Sequence, residues 1–484
     1  MGTALARIVI VALLMVPVVF TQAPQPATQP APPPLQPGET NDPFPTPIPA
    51  VEGAIRVNVT EFASLPEIDG VAARMMNLVD EPGTTRLFVN DMRGPLYSVS
   101  YDGKTVTSYL DVNEAAWGHP VNFTGRERGF QSFTFHPQFG QRGTPGYGKF
   151  YTYLDTSNMT PVPDFLPAGG NNTHDTVLLE WTAKTPGAAT YDGGVPRELF
   201  RMRQPFANHN AGHMAFNPLA AAGSPDFGLL YLGVADGGSG GDPLNHAQNL
   251  GSAFGKVFRI NPIGTNSKNA KYGVPSGNPF VNTPGALPEI YAYGLRNGQR
   301  FAWDPKNGNL FLADIGQTII EKVTLVPAGA NLGWNAWEGS FRFIRNQAVA
   351  LEGRRADPKV TYPLVEYGQP DPLLQSQAAA NGVIVYRGSQ IPQIANLVVF
   401  TDMPSGEIFY FSADTLPNGG QDPIRRIIPR LNGVDKTVLQ LIQEKNVAQG
   451  KKPATRADLR LSMGPANQVL LLNKGDGTIR QFTR

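Results

Sequence analysis

Three of the six histidines fall between Asn208 and Pro262, in NHNAGHMAFNPLAAAGSPDFGLLYLGVADGGSGGDPLNHAQNLGSAFGKVFRINP. The run is too rich in small residues to be ordinary core. His209 is flanked by Asn208 and Asn210 and approached through glycine. A neutral imidazole can take a proton near pH 7, and a partner carboxylate fixes its tautomer and supports the resulting cation. Asp236, in VADGG, is positioned to be that partner. His213 stands at i+4 from His209, but the intervening Gly212 argues for a turn leading into the strand MAF, not for a helix. A zinc site built from His209, His213 and Asp236 is the alternative, without the helix that makes such spacing specific.

Four further stretches carry groups that could act with these. ERGFQSFTFHPQF places Glu127 at the mouth of an aromatic-faced strand, with His136 in the turn that ends it. In PEIYAYGLRNGQRFAW, Arg296 and Asn297 sit between two strand-like runs. A guanidinium there suits an anionic or polyoxygenated ligand, and a salt bridge between repeats is the plainer reading. DIGQTIIEKV offers carbonyls at Gly316 and Gln317 and the Glu321 carboxylate, hard oxygen donors that suit Ca²⁺. RADLR alternates so that Arg456, Asp458 and Arg460 share one strand face, as a cationic site or a surface ladder.

Such scattered groups need a scaffold that gathers loops. Short apolar runs recur along the chain: TRLFVNDMRGPLYSVS, GKFYTYLDT, TVLLEWTAK, GLLYLGVADGG, GKVFRINP, NGNLFLADIG, NLVVFTDMPSGEIFYFS and QVLLLNKGDGTIRQFT. Several read as strand, then a loop carrying Asp, Gly or Ser, then strand, which is how the strands of a propeller blade are joined. The expected fold is all-β, a six-bladed β-propeller with loop insertions over residues 51–484. A β-sandwich array is the competing architecture, but a propeller brings distant loops to one end of its axis. One segment, Thr437–Gln449, reads as a helix.

Composition agrees. With 52 glycines and 45 prolines, few segments show helical periodicity. The net charge of +1 gives no reason to expect nucleic acid or a membrane surface as partner. There is no cysteine, so disulfides and thiolate zinc are excluded. Residues 1–23 read as an export signal: Arg7, an apolar run over Ile8–Phe20 too short to span a bilayer, and TQA at the cleavage point. Residues 24–50 read as a proline-rich, solvated spacer without a core. The expected location is therefore periplasmic or secreted, with no membrane span once the signal is cleaved.

Taken in order, ERGFQSFTFHPQF, NHNAGHMAFNP, LLYLGVADGG with DPLNHAQNL and GKVFRINP, YAYGLRNGQRFAWDP, ADIGQ, NLGW and VIVYRG resemble the soluble pyrroloquinoline-quinone (PQQ)-dependent glucose/sorbosone dehydrogenases. The resemblance covers roughly residues 60–480. It implies a six-bladed propeller carrying PQQ and Ca²⁺, a small-molecule sugar or polyol substrate, and an external electron acceptor. It implies His209 as catalytic base, Asp236 as its orienting carboxylate, and Arg296 and Asn297 at the quinone. Glu127 falls on a cofactor-contacting position, Gly316 and Gln317 on calcium-binding carbonyls, and Glu321 with the Leu332 backbone on a second calcium. Three departures stand out. Gly298 replaces the proline that follows the Arg-Asn pair, which should loosen that loop. NLGW stands where the family has NYGW. Pro404 and Ser405 stand where some members carry a lysine, so the quinone carboxylates would rely on Arg296, Arg456, Arg460 and Lys474. The family also has non-enzymatic relatives, so a calcium-containing propeller that binds a glycan or a protein is the rival expectation.

Overall fold

The computed structural model describes residues 33–210, 212–375 and 377–484, so the export-signal reading of residues 1–23 lies outside it. Six four-stranded antiparallel blades form a ring, and the last two are joined by one parallel strand pair into a single larger sheet. Blade 1 spans Met75–Asp80 to Val106–Asp111, blade 2 Phe130–Phe135 to Arg197–Gln204, and blade 3 Met214–Phe216 to Ile290–Tyr293. Blade 4 spans Gly298–Trp303 to Val365–Gly368, and blade 5 Ala380–Tyr386 to Arg425–Leu431. Blade 6 combines Arg460–Met463, Val469–Leu472 and Thr478–Thr483 with an N-terminal strand, Ile55–Ser64.

The first strand of every blade lies innermost. These six strands, or in one case their immediate neighbour, touch in sequence around the axis, and the last returns to the first. The N-terminal strand closes the circle. It pairs antiparallel with Thr478–Thr483 and parallel with Ile427–Arg430 of blade 5. Its sequence IRVNVTEFAS turns Val57, Val59 and Ala63 inward while Arg56, Asn58 and Thr60 stay outside, the alternation expected of a half-buried strand. Between blades the packing is aromatic and aliphatic, as where Phe88, Phe135, Phe150 and Trp181 join blades 1 and 2.

The only α-helix among the described residues is Val438–Ala448, inserted between blades 5 and 6. Thr437 caps it: its hydroxyl accepts from the Gln440 N–H at 3.2 Å, and the Gln440 side chain accepts from the Thr437 N–H at 2.8 Å. Val438, Leu439, Leu441 and Ile442 bury the inner face.

The spacer expectation fails over residues 39–50. Glu39–Thr40 adds a strand beside Ala348–Ala350, and Glu39 pairs with Arg345 at 2.6 Å. Phe44 packs edge-on against Phe341, 5.7 Å between centroids. Ile48 is 3% exposed, and its N–H donates to Asp371 at 2.8 Å. The scattered apolar side chains of this stretch anchor it to the propeller.

Candidate functional site

One design recurs in five of the blades. The second strand runs into a buried carboxylate: Asp91, Asp155, Asp236, Asp314 and Asp402, with Asn473 at the matching position of blade 6. In three blades this carboxylate grips the loop that enters the blade's own inner strand. Asp155 accepts from the Gly129 N–H at 2.9 Å, and Asp402 from the Ala379 N–H at 2.8 Å. Asp314 accepts from the Arg296 and Asn297 N–H groups at 3.2 and 2.7 Å. In blade 3 the carboxylate instead accepts from a side chain, the imidazole of His209.

These clamped loops surround a cavity of about 450 Å³ at the N-terminal ends of the inner strands. Glu127, His209, Arg296, Asn297, Gly316, Gln317, Arg456, Arg460 and Lys474 all line it, although they come from four blades.

His209 is the best-defined member. Its Nδ1 lies 2.6 Å from Asp236 Oδ1, and Asp236 also accepts from the Gly238 N–H at 2.9 Å and from Trp334 Nε1 at 2.8 Å. The hydrogen bonds of His209 among the described residues use its backbone N–H and Nδ1, which leaves Nε2 for the cavity that the residue lines. The backbone of His209 is left-handed, φ 58°, a conformation non-glycine residues rarely adopt. Glu127 holds it there by accepting from the His209 N–H at 2.6 Å. Burial opposes ionisation of Asp236. The His209 ring and the Arg296 guanidinium overcome that, together with the Gly238 N–H, and hold the carboxyl below its ordinary range. A base with one nitrogen fixed on a buried carboxylate and the other free is equipped to accept a proton.

Arg296 is not a salt bridge between blades. Its Nε donates to Gln317 Oε1 at 2.8 Å and its Nη1 to the Ile315 carbonyl at 3.2 Å, while the guanidinium lies 5.8 Å from the centre of the Trp334 ring. Asp314 clamps both amides that precede Gly298. A side chain at Gly298 would meet Leu295 at 2.7 Å, so the position is also packed.

Arg456 and Asp458 sit in a loop ahead of the inner strand Arg460–Met463, not on the strand itself, and yet all three reach the cavity. With Arg126 and Lys474 they complete a set of five cationic groups against two carboxylates, Glu127 and Asp458. Burial, with Arg456 and Arg74 nearby, lowers Arg460 to about 10 despite Asp458. Burial and the guanidiniums of Arg460, Arg74 and Arg456 push the Lys474 amine well below its usual value. Its Nζ meets only the Met92 sulfur at 3.1 Å and the Arg126 carbonyl at 3.2 Å. Arg460 Nε is buried without a hydrogen-bond partner among the described residues. A cavity so charged is complementary to a polyanion.

Glu321 and Leu332 are not brought to the cavity. The Glu321 carboxylate is fully buried and accepts from the N–H groups of Gly316 and Ala380 and from Gln369, at 3.1, 2.7 and 2.7 Å. Leu332 packs in an apolar cluster with Leu295 and Phe301. No group of three or more His, Cys, Asp or Glu side chains placed to hold a metal occurs among the described residues. His213 faces a different cavity from His209, which removes the zinc alternative. His136 is a buried structural residue whose Nδ1 accepts from the Gln138 N–H at 3.1 Å.

Sequence reasoning missed Arg126 and the glutamines Gln131, Gln299, Gln369 and Gln377, which also line the cavity. The NLGW motif gives Trp334 no role of its own, yet its Nε1 donates to Asp236. No local signal marks that residue, because its partner Asp236 lies 98 positions away.

The family model for glucose / sorbosone dehydrogenase matches residues 74–428. The HIPL1 protein of Arabidopsis thaliana is 28% identical over 388 residues, 72% of this chain and 54% of that protein. The Hedgehog-interacting protein of Mus musculus is 25% identical over 327 residues, 66% of this chain and 39% of that protein. This chain therefore spans about half or less of the length of these relatives. Among solved structures, the PQQ-bound aldose sugar dehydrogenase of Streptomyces coelicolor is 18% identical, covers 88% of this chain and 98% of its own, and superposes with a TM-score of 0.56.

Proposed function

This chain belongs to the glucose/sorbosone dehydrogenase family, and from that premise we propose that it is a quinoprotein that oxidises a hydroxyl of an aldose or related polyol. The observation that carries the reading is the pairing of the His209–Asp236 couple with a cavity of five cations and two carboxylates. PQQ, a tricarboxylate, fits such a lining. Arg456, Arg460, Lys474 and Arg126 would hold its carboxylates, with Asn297 and Glu127 at its edges. Burial first, and neighbouring cations second, depress Arg460 and Lys474, and an anion there would offset both.

When bound, the quinone supplies the two-electron acceptor for the hydride leaving the sugar carbon. The protein does the rest. Nε2 of His209 takes the hydroxyl proton, and the charge that develops on the ring is balanced by Asp236 on the opposite nitrogen. Trp334 and the Gly238 N–H keep that carboxylate from rotating away. Arg296, fixed by Gln317 and the Ile315 carbonyl, directs positive charge into the cavity, where negative charge grows in the transition state. Electrons then pass to an external acceptor.

Calcium follows a different logic. Gly316 and Gln317 offer neutral carbonyls, without an acidic cluster. A dication beside five cationic groups is repelled unless a polyanion accompanies it. Ca²⁺ therefore belongs to the quinone-loaded state.

The name of the mouse relative describes an interaction, which favours a second reading, a binding module on the same face. A His209→Ala variant separates the two. It should bind quinone much as wild type does and reduce it with aldose about 10²–10⁴ times more slowly. An aldose reaction unchanged by the substitution removes His209 from the base role, and no reaction in either protein favours the binding module.

A further inference from the structure

Blade 4 carries an insertion between its third and fourth strands, Ile320–Leu325 and Val365–Gly368. There Trp337–Glu338, Phe341–Arg345 and Ala348–Ala350 form a small sheet with the N-terminal Glu39–Thr40. Glu338, on the edge strand, is fully buried and does not line the cofactor cavity. Its Oε1 accepts from four consecutive backbone N–H groups, those of Gln317, Thr318, Ile319 and Ile320, at 2.8, 3.0, 3.1 and 3.1 Å. Its other oxygen, Oε2, takes no hydrogen bond among the described residues. Successive amides turned onto one anion form a nest, and a charged acceptor makes each of those bonds stronger than a neutral one would. The turn that enters the nest is tight: a side chain at Gly316 would run into the Ile320 carbonyl.

Arg296 leans on this same loop. Its guanidinium donates to the Ile315 carbonyl at 3.2 Å and to Gln317 Oε1 at 2.8 Å. Gln317 is therefore a joint: Glu338 holds its N–H, and its side chain holds Arg296. The Gly241 N–H, at 3.2 Å, steadies that side chain from blade 3. The insertion reaches the guanidinium by a second route as well. Phe343 packs 4.9 Å from Trp334, the ring that Arg296 faces.

We propose that Glu338 is a positioning residue, which fixes the loop over residues 316–320 and, through Gln317, aims the Arg296 guanidinium into the cavity. The effect on turnover rests on the quinoprotein reading; the placement of Arg296 does not.

The test compares the full chain with Glu338→Gln, Gln317→Ala and the double variant. Hydrogen exchange without quinone reads the placement. The amides of residues 318–320 should exchange about tenfold faster in Glu338→Gln, with the strands of blade 4 still protected, and should keep their rate in Gln317→Ala. Crystals of Glu338→Gln should show the Arg296–Gln317 hydrogen bond lost. Reduction of bound quinone by aldose reads the consequence. Each single variant should lower kcat about 10–100-fold with KM little changed, and the double variant should be no slower than the slower single. Residues that act independently would give effects that multiply. Glu338→Asp keeps the charge but draws it back by one methylene, and it carries the comparison if the glutamine variant does not fold. Unchanged exchange at residues 318–320, an intact Arg296–Gln317 bond in the variant, or multiplying effects on kcat overturns the proposal. A wild type that reduces no quinone sinks the quinoprotein reading instead, and the exchange and crystal results still decide the role of Glu338.

Discussion

Three donors meet on the carboxylate of Asp236, one of them its ion-pair partner His209, and that residue sets what His209 can do. With Oδ1 engaged by His209 and Gly238 and Oδ2 by Trp334, the ionised form is favoured over its unfolded state. The consequence for stability has a definite sign. A carboxyl depressed on folding contributes stability that is complete above its unfolded pKa of about 3.9 and is lost as pH falls through the lower folded value. Asp236→Asn should therefore lower the unfolding free energy at neutral pH, and the gap from wild type should close only below about pH 4. Urea unfolding of both proteins from pH 7 to 3 reads this directly. A gap that closes already between pH 7 and 5 would mean that the pair is held by something other than the Asp236 charge. At this scale the sequence was informative where the groups are reactive. His209, Asp236, Arg296 and Asn297 stand in short polar loops between apolar runs, and their types alone narrow their chemistry. Trp334 was illegible for the opposite reason, since a tryptophan near a glycine turn reads as core until its distant carboxylate is seen.

Among the elements, strands were easier to read than what joins them. GKFYTYLDT and TVLLEWTAK fall on Lys149–Thr156 and His174–Thr182, and the proposed helix falls on Val438–Ala448, because alternation and a capping box are local signals. RADLR was read as strand, but only Arg460 belongs to one; Asp458 is left-handed, φ 49°, a geometry that alternation does not encode. The proline-rich stretch shows the same limit. Ile48 is one apolar residue in a polar, proline-broken run, and the Asp371 that receives its N–H lies 323 positions on. If this stretch is anchored as the structure shows, Ile48→Ala should destabilise the protein by about 2–4 kcal/mol, measured by chemical denaturation. A change within about 0.5 kcal/mol, the usual effect of a surface substitution, would return residues 39–50 to the role of a solvated spacer.

For the molecule as a whole, the propeller explains why residues from Glu127 to Lys474 can act together. Loops of all the blades converge at the same end of the axis, several of them clamped by a buried carboxylate, and the N-terminal strand in blade 6 locks the ring that fixes their spacing. The order of motifs along the chain made the six blades legible. What the order could not convey is charge balance, since the excess of five cations over two carboxylates exists only once the blades converge. That excess is the core of the account, and one titration tests it. The full chain, treated with EDTA, is titrated with PQQ in the absence and presence of Ca²⁺ by absorbance, and a panel of aldoses is then added. The account predicts saturable, one-to-one quinone binding that calcium strengthens, followed by reduction of the quinone on addition of a sugar. No saturable binding at micromolar quinone, with or without calcium, would contradict it.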